Sequence, residues 1–459
     1  MSSSFTARVG AVGDPPEHYG NPLGEQKALA AGRAIVDLSD RAVLTVSGID
    51  RLTWLDSLTS QLVAGLLPGE SAETLLLDPT GRLQYAIRLF DDGETAWLLV
   101  DAAEAPPLLV WLDRMRFMLR VEVADRSADF ATLGALAVPV APVAPVAPVA
   151  PVAPVAPVAP FASENEGVTD ASVGRDPEHP LDAFAAAPNG VPLVWVDPWR
   201  AVVAGGHQYA TAAEHPGTGW FYREVLVDRA LVDGAAPPAV DALAAFAAAG
   251  TLALEALRIA AWRPRLASEA DEKTLPHELD WLRSAVHLSK GCYRGQETVA
   301  KVHNLGHPPR RLVMLHLDGS EGVLPSPGAE IMRATAEAAV PAAIAPEAAI
   351  PAEIAPEAAI PAEAAPEAAT PAKIAPEAAI PAEHLAAAAA IGRVTSSALH
   401  YELGPIALAI IKRNVPTDAA LVVRTDGIDV AAAQEVIVPP GAGAEANVPR
   451  LPRLGAVTR

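Results

Sequence analysis

Apolar residues fall in short, dense runs along this chain, and their spacing changes from one segment to the next. Ala34 to Val46 (AIVDLSDRAVLTV) and Glu73 to Phe90 (ETLLLDPTGRLQYAIRLF) are rich in branched and aliphatic side chains, and Pro79-Thr80-Gly81 breaks the second run. Such runs predict strands joined at a tight turn. Between them, Leu52, Leu55 and Leu58 recur at three-residue spacing after Asp50, which predicts a helix with Asp50 as its N-cap. Ala96 to Val100 predicts a further strand, and Ala105 to Leu119 a helix with Leu108, Leu112 and Met115 on its apolar side. Short strands are expected at Pro192 to Val196, Ala201 to Ala204 and Val225 to Val227, then an Ala-rich helix from Val240 to Ile259, interrupted at Gly250. Pro276 suits a first helical turn, with Leu279, Leu282 and Val286 on one face, leading into a turn at Ser289-Lys290-Gly291. Arg311 to Leu317 alternates like a strand. Ile391 to Val394, Ile406 to Lys412, Leu421 to Arg424 and Val430 to Val438 are short apolar runs parted by Gly, Pro and Asp. That is the pattern of a small antiparallel barrel. Strands and helices interleave too irregularly for a doubly wound sheet, so the expected class is α+β.

Two low-complexity blocks interrupt this pattern. From Val138 to Pro160 proline stands at every third position, the repeat of an extended polyproline rod. From about Ala334 to Glu383 a ten-residue unit close to APEAAIPAEI recurs, with proline every five residues between Pro341 and Pro381. Alanine and glutamate favour helix, but proline at that spacing removes donors and clashes one turn back, so a solvated linker is expected. Neither unit carries the large apolar residues a solenoid core needs.

The chain has 459 residues, 51% of them apolar, and a formal net charge of −21. An acidic surface repels phosphate backbones, so direct nucleic-acid binding is not expected. No apolar run has the length of a signal peptide or a membrane span, which leads to the expectation of a cytoplasmic protein without membrane contact. Cys292 is the one cysteine. It cannot form an internal disulfide, nor can it alone hold an iron–sulfur cluster or a structural zinc, which take about four ligands.

The surroundings of that thiol carry the candidate chemistry. In KGCYRGQE, Lys290 to Glu297, Gly291 and Gly295 bracket Cys292, Tyr293 and Arg294. Glycines let a loop wrap a ligand or present a side chain. Lys290 and Arg294 would place the thiol in positive potential and favour the thiolate. Gln296 and Glu297 add an amide and an acid. Lys301, His303, His307, Arg310 and Arg311 continue a basic stretch suited to an anion. The plain alternative is a small buried cysteine in an ordinary helix-to-strand turn.

KGCYRGQETVAKV resembles the K-G-C-Y-x-G-Q-E signature of YgfZ-type folate-binding proteins, relatives of the glycine-cleavage T-protein. VDLSDRAVLTVSGIDRLTWLDSLTSQ from Val36, LRIAAWRPRLASEADEKTLPHELDW before the motif and IGRVTSSALHYELGPIALAIIKR after it resemble other parts of that superfamily. The resemblance implies a ring of two interwoven α/β domains (28–136 and 176–309) and a C-terminal antiparallel barrel (310–333 and 386–440). The blocks at 137–175 and 334–385 would be insertions, with tails at 1–27 and 441–459. It further implies a tetrahydrofolate-type cofactor and a role in assembly or repair of iron–sulfur clusters in client enzymes, some of them tRNA-modifying. Cys292 becomes the functional thiol, and Lys290, Gly291, Tyr293, Gly295, Gln296 and Glu297 inherit the motif's ligand-binding role; Arg311 is added as a candidate from the basic stretch, which is suited to the glutamate tail of a folate or to another anion. Arg294 occupies the variable position.

Two other functions compete. T-proteins transfer an aminomethyl carbon to tetrahydrofolate and keep a carboxylate pair after the hairpin turn. Here that region reads GRLQYAIRLF, with Gln84, Tyr85 and Ala86 and no acid before Asp91, so an obvious base is missing. A scaffold acting through the proline-rich blocks is the second. An oxidase-like chain is not expected, because no Gly-rich dinucleotide-binding turn follows a predicted strand.

Overall fold

Sixteen strands and a set of mostly short helices make up the computed structural model, which describes residues 3–139, 176–234, 243–320, 322–334 and 389–446. Most of both proline-rich blocks lies outside the described residues. In chain order the strands are β1 (Ala34–Asp37), β2 (Ala42–Ser47), β3 (Ser71–Leu77), β4 (Leu83–Asp91), β5 (Thr95–Val100), β6 (Glu122–Asp125), β7 (Phe130–Leu136), β8 (Val194–Val196), β9 (Tyr222–Asp228) and β10 (Ala247–Ala249). They are followed by β11 (Arg310–Leu317), β12 (Glu330–Arg333), β13 (Gly392–His400), β14 (Gly404–Lys412), β15 (Leu421–Thr425) and β16 (Ile428–Val436).

One sheet runs β3-β4-β5-β2-β6 and a second β10-β1-β7-β9-β8. β1 and β7 pair antiparallel in the second sheet, yet the whole first sheet lies between them in sequence. The two layers are therefore interwoven. β11-β14-β13-β12-β15-β16 close into a six-stranded antiparallel barrel, as the spacing of short apolar runs implies. Alternation along β11 shows how the barrel docks. Val313, Leu315 and Leu317 fill its interior, while Leu312 and Met314 join an apolar cluster with Leu75, Trp97, Trp195, Leu226, Leu257 and Trp281 from both sheets and their connections.

Several local expectations change. Asp50 precedes the helix Arg51–Leu58 but makes no side-chain capping bond; its carboxylate accepts from Arg120 instead. The helix from Ala105 ends at Met115, and Ala201–Ala204 forms no strand. Ala247–Ala249, expected as helix, pairs in parallel with Ala34–Val36. Helix begins only at Thr251, after Gly250. The helix expected from Pro276 is two short turns, Pro276–Leu279 and Leu282–Ala285, parted by Asp280 in the left-handed region. Its carboxylate accepts from the N–H of Tyr209 and of Ala210, a tertiary tie that breaks the helix. Residues 3–21, expected as a tail, are anchored: Phe5 is fully buried and Ser3 donates to Asp37 at 2.7 Å.

Candidate functional site

The Cys292 loop is fastened from beneath. Lys290 is buried, and its ammonium donates to the carbonyls of Asp56 (2.6 Å), Thr59 (2.9 Å) and Gln61 (2.7 Å), with the Asp56 carboxylate at 3.1 Å. Burial lowers its pKa, against the pull of Asp56. Tyr293 is buried with its ring 5.6 Å from that ammonium. Gln296 donates to the Lys290 carbonyl at 3.3 Å, closing the loop on itself. Gly295, at φ 83°, turns the chain into the helix Gln296–Leu305. The residues left outside are Gly291, Cys292 and Glu297, all exposed, and the thiol is free. Cys292 is thus neither buried nor flanked by a free lysine. The motif builds a rigid mount for an accessible thiol, with Lys290, Tyr293 and Gln296 as its fixings.

Gly291 does not have a left-handed backbone; only Gly295 of the bracketing pair does. The basic stretch that follows is also dispersed. Arg310 is paired with Asp271 and Glu278, and His303 accepts from or donates to the Tyr209 hydroxyl. Arg311 is fully buried on the barrel side of β11 and donates to the Val415 carbonyl and to Gln434. Burial lowers its pKa to about 10.

A cleft elsewhere on β4 is lined by Glu73, Ala86, Arg88, Asp101, Glu104, Arg263, Pro264, Arg265, Leu266 and Trp281. None of the motif residues, nor Arg311, lines it. The connection is Arg294, which donates to Gln84 at 3.3 Å and lies 5.8 Å from the Trp111 ring centre. Gln84 sits where the register of β4 against β3 shifts, a bulge two residues before Ala86 of the cleft. Two residues of strand span about 7 Å, and bulges are a common way to aim side chains at a site.

The cleft's charges are mostly matched. Arg263 pairs with Glu73 at 2.6 Å and Asp197 at 2.9 Å, and Ser284 donates to the other Glu73 oxygen. Arg265 reaches Asp101 at 2.9 Å, and Arg88 lies between Asp101 (3.5 Å) and Glu224 (3.1 Å). Burial opposes the Asp101 charge, but Arg88, Arg265 and Arg41 outweigh it and hold its pKa at about 2. Glu104 is different: burial first, then the Asp101 charge, push it up to about 7. Sequence reading missed this cleft because its residues are spread from Glu73 to Trp281. The available signal was charge inside apolar runs, Arg88 in YAIRLF and Arg263 in AAWRPRL.

No protein-family model matches the chain, and no curated protein matches its sequence. A solved structure does match: that of the glycine cleavage system aminomethyltransferase T from Bartonella henselae, with a TM-score of 0.57. The match covers 95% of this chain and 96% of that one at 15% identity. The fold is T-protein-like. At that identity the likeness establishes architecture, including the barrel and interwoven sheets, and the activity has to be argued from the site. Among the described residues no helix is long and apolar enough to cross a membrane.

Proposed function

We propose that this protein binds a reduced folate in the cleft between β4 and the segment around Arg263, and that Cys292 works beside it as the functional thiol. The observation that carries the reading is the Arg294–Gln84 bond, which ties an exposed, rigidly mounted thiol loop to the strand supplying Ala86 and Arg88. Ala86, Pro264, Leu266 and Trp281 offer apolar walls for a flat ring, and the Glu104 carboxyl, which has no ion pair among the described residues and accepts one long bond of 3.4 Å from the Asp101 N–H, offers an acceptor. These residues fit a pterin head, whose chemistry in such proteins is to carry one-carbon units or electrons. The KGCYRGQE loop resembles the YgfZ-type signature, and on that ground the role is support of iron–sulfur cluster assembly or repair in client enzymes. With one cysteine in the chain, a cluster is cargo shared with a partner.

The second reading is tetrahydrofolate-dependent aminomethyl transfer, favoured by the fold of the aminomethyltransferase it matches. Against it stand Gln84 and Tyr85, where a T-protein keeps acids. Titration with tetrahydrofolate, on wild type and Cys292→Ala, tests both. Binding retained in both proteins, with client-enzyme maturation lost only in the variant, is expected. Absence of binding to wild type overturns the folate reading, and aminomethyl transfer at full rate by Cys292→Ala favours the second.

A further inference from the structure

The turn after the helix Ala105–Met115 holds large apolar side chains in water. Arg114 to Arg120 reads RMRFMLR; Phe117 is 82% and Met118 96% exposed, and Leu119 is exposed beside them. Folding gains nothing from such exposure, yet the turn is fixed. The Leu119 N–H donates to the Arg116 carbonyl at 2.9 Å, and Phe117 sits in the left-handed region at φ 45°, a conformation that bulky residues seldom adopt. Arg120 ties the turn to its neighbour: its N–H and its guanidinium both donate to Asp50, and a Cβ added at Gly48 would collide with the Arg120 carbonyl. Ile49, between those two contacts and 72% exposed, is thereby set beside the tip. Exposed apolar residues scattered singly are ordinary, whereas a contiguous group marks a contact surface.

Two helices link this patch to the thiol loop. Lys290 fastens the loop to the carbonyls of Asp56, Thr59 and Gln61, at the C-terminal end of the helix Arg51–Leu58. Ile49 lies just ahead of that helix's first residue, and its 8 residues rise about 12 Å. Along the other helix, Arg294 of the loop is 5.8 Å from the Trp111 ring centre, Met115 follows one turn later, and the tip comes next. A standard interface covers about 800 Å² on each partner, on the order of 30 Å across, so one docked surface reaches both the thiol and the tip.

Charge selects the occupant. Arg116 and Arg120 are paired with Asp113 and Asp50 at 2.9 and 2.8 Å, whereas Arg114 and Arg294 have no ion pair among the described residues. Glu297 on the thiol loop is exposed, but Arg114 to Arg120 contains no acid, in a chain of net charge −21. An anionic bilayer would attract the tip and be repelled by the rest of the surface. A protein groove that is apolar within and edged by carboxylates meets the tip alone, and complementary charge of this kind steers docking.

We propose that the turn Arg116 to Leu119, with Ile49 beside it, is the docking knob for the protein on which Cys292 acts, and that this partner offers an apolar groove edged by carboxylates. The inference rests on the reading of Cys292 as a thiol that serves client enzymes, and it adds where the client is held and by what chemistry.

The test uses cells lacking the chain, complemented at graded levels with full-length wild type, Phe117→Ser/Met118→Ser, Arg114→Glu or Cys292→Ala. The readout is the activity of the iron–sulfur enzymes that fall when the chain is deleted. The double serine variant is expected to need about tenfold more protein for half-maximal recovery and still to reach the wild-type plateau. Arg114→Glu shifts the midpoint the same way, about threefold, and Cys292→Ala recovers nothing at any level. Thermal unfolding and the rate of Cys292 alkylation by iodoacetamide, measured on purified protein, check that each tip variant is folded with its thiol unaltered; should the double variant misfold, Arg114→Glu decides. A midpoint unchanged in the folded variants, or a plateau lowered in them, overturns the inference. p-Benzoylphenylalanine in place of Met118 then identifies the occupant: crosslinking to a recovered enzyme supports the proposal. Crosslinking to a second copy alone overturns it, as does flotation of wild type with vesicles of phosphatidylcholine and phosphatidylglycerol in equal parts. Recovery by Cys292→Ala at the wild-type level sinks the thiol reading and this inference with it, whereas silence of the tip variants alone leaves the thiol reading standing.

Discussion

Gly81 and Gly295 pack against each other, backbone to backbone, where the β3–β4 turn meets the helix that carries the thiol motif. A Cβ built on Gly295 would lie 3.0 Å from the Gly81 Cα and 2.7 Å from the Asp78 carbonyl oxygen. One built on Gly81 would lie 2.7 Å from the Thr298 Cβ. Both glycines have left-handed backbones, at φ 80° and 83°. Gly295→Ala therefore combines a conformational cost of about 1–2 kcal/mol with a clash against main chain, and a total loss of about 2–4 kcal/mol is expected by denaturant unfolding. Gly291 has neither constraint: its backbone is ordinary and nothing lies within 4 Å of an added Cβ. Gly291→Ala should change stability by less than about 0.5 kcal/mol. Equal effects from the two substitutions would refute this account of the loop.

Lys290 holds the same loop from its other side. Replacing it with Met keeps the length of the side chain but strands the carbonyls of Asp56, Thr59 and Gln61 without their shared donor. Buried acceptors left unpaired cost about 1–3 kcal/mol each at most, and some will recruit water. A loss of about 3 kcal/mol is expected, with faster hydrogen exchange in residues 56–61 as well as in the loop. Exchange confined to the loop would mean that the lysine does not bind the two segments together.

Much of this architecture is legible in the chain. The Pro79-Thr80-Gly81 turn, the strands around it and the barrel all follow from period-two runs and turn residues, because those signals are local. The misreadings come from tertiary ties. Alanines at 247–249 favour helix in isolation, but pairing with Ala34–Val36 makes them an edge strand. Leu279, Leu282 and Val286 are all fully buried, as a helical face would be, yet Asp280 interrupts them to reach Tyr209 and Ala210. The motif is visible because it is contiguous, whereas Glu104 means nothing until the fold sets it beside Arg265 and Trp281.

The barrel is clamped to the rest of the molecule by Asp271, whose carboxylate meets Arg310 of β11 at 2.7 Å and Arg393 of β13 at 2.8 Å. The hydrogen bond from Arg310 is the largest influence on its pKa, which falls below the usual carboxylate range. A depressed folded value means that the clamp contributes fully above the unfolded pKa of about 3.9 and is lost as pH falls below it. The clamp is partly open to solvent, so screening limits its worth. Asp271→Asn should cost about 1–2 kcal/mol at pH 7, and the gap to wild type should narrow below about pH 4. A gap independent of pH would show that the substitution acts through packing and not through the ion pairs.

The helix Gln296–Leu305 that starts at the thiol loop is finished by a distant part of the chain. The Val302 carbonyl accepts from the Gly306 N–H at 3.2 Å and from that of Ala444 at 3.4 Å, whereas the His303 and Asn304 carbonyls, beyond the reach of the helix's own N–H groups, accept from Glu445 (2.9 Å) and Ala446 (3.1 Å). His307 adds a bond of 2.8 Å to the Ala442 carbonyl. Residues 441–446, which the sequence leads one to treat as a tail, thus act as the helix's C-terminal cap. Ending the chain at Pro440 would expose those carbonyls to water. Each lost bond is worth about 1 kcal/mol net, so amide exchange in the last turns of the helix should accelerate about 10- to 100-fold. The strands of the first sheet, β2 to β6, should exchange as in the intact chain. If the helix exchanges at its original rate after truncation, the packing of Val299 alone holds it, and the C-terminal segment is a cap in geometry without being one in energy.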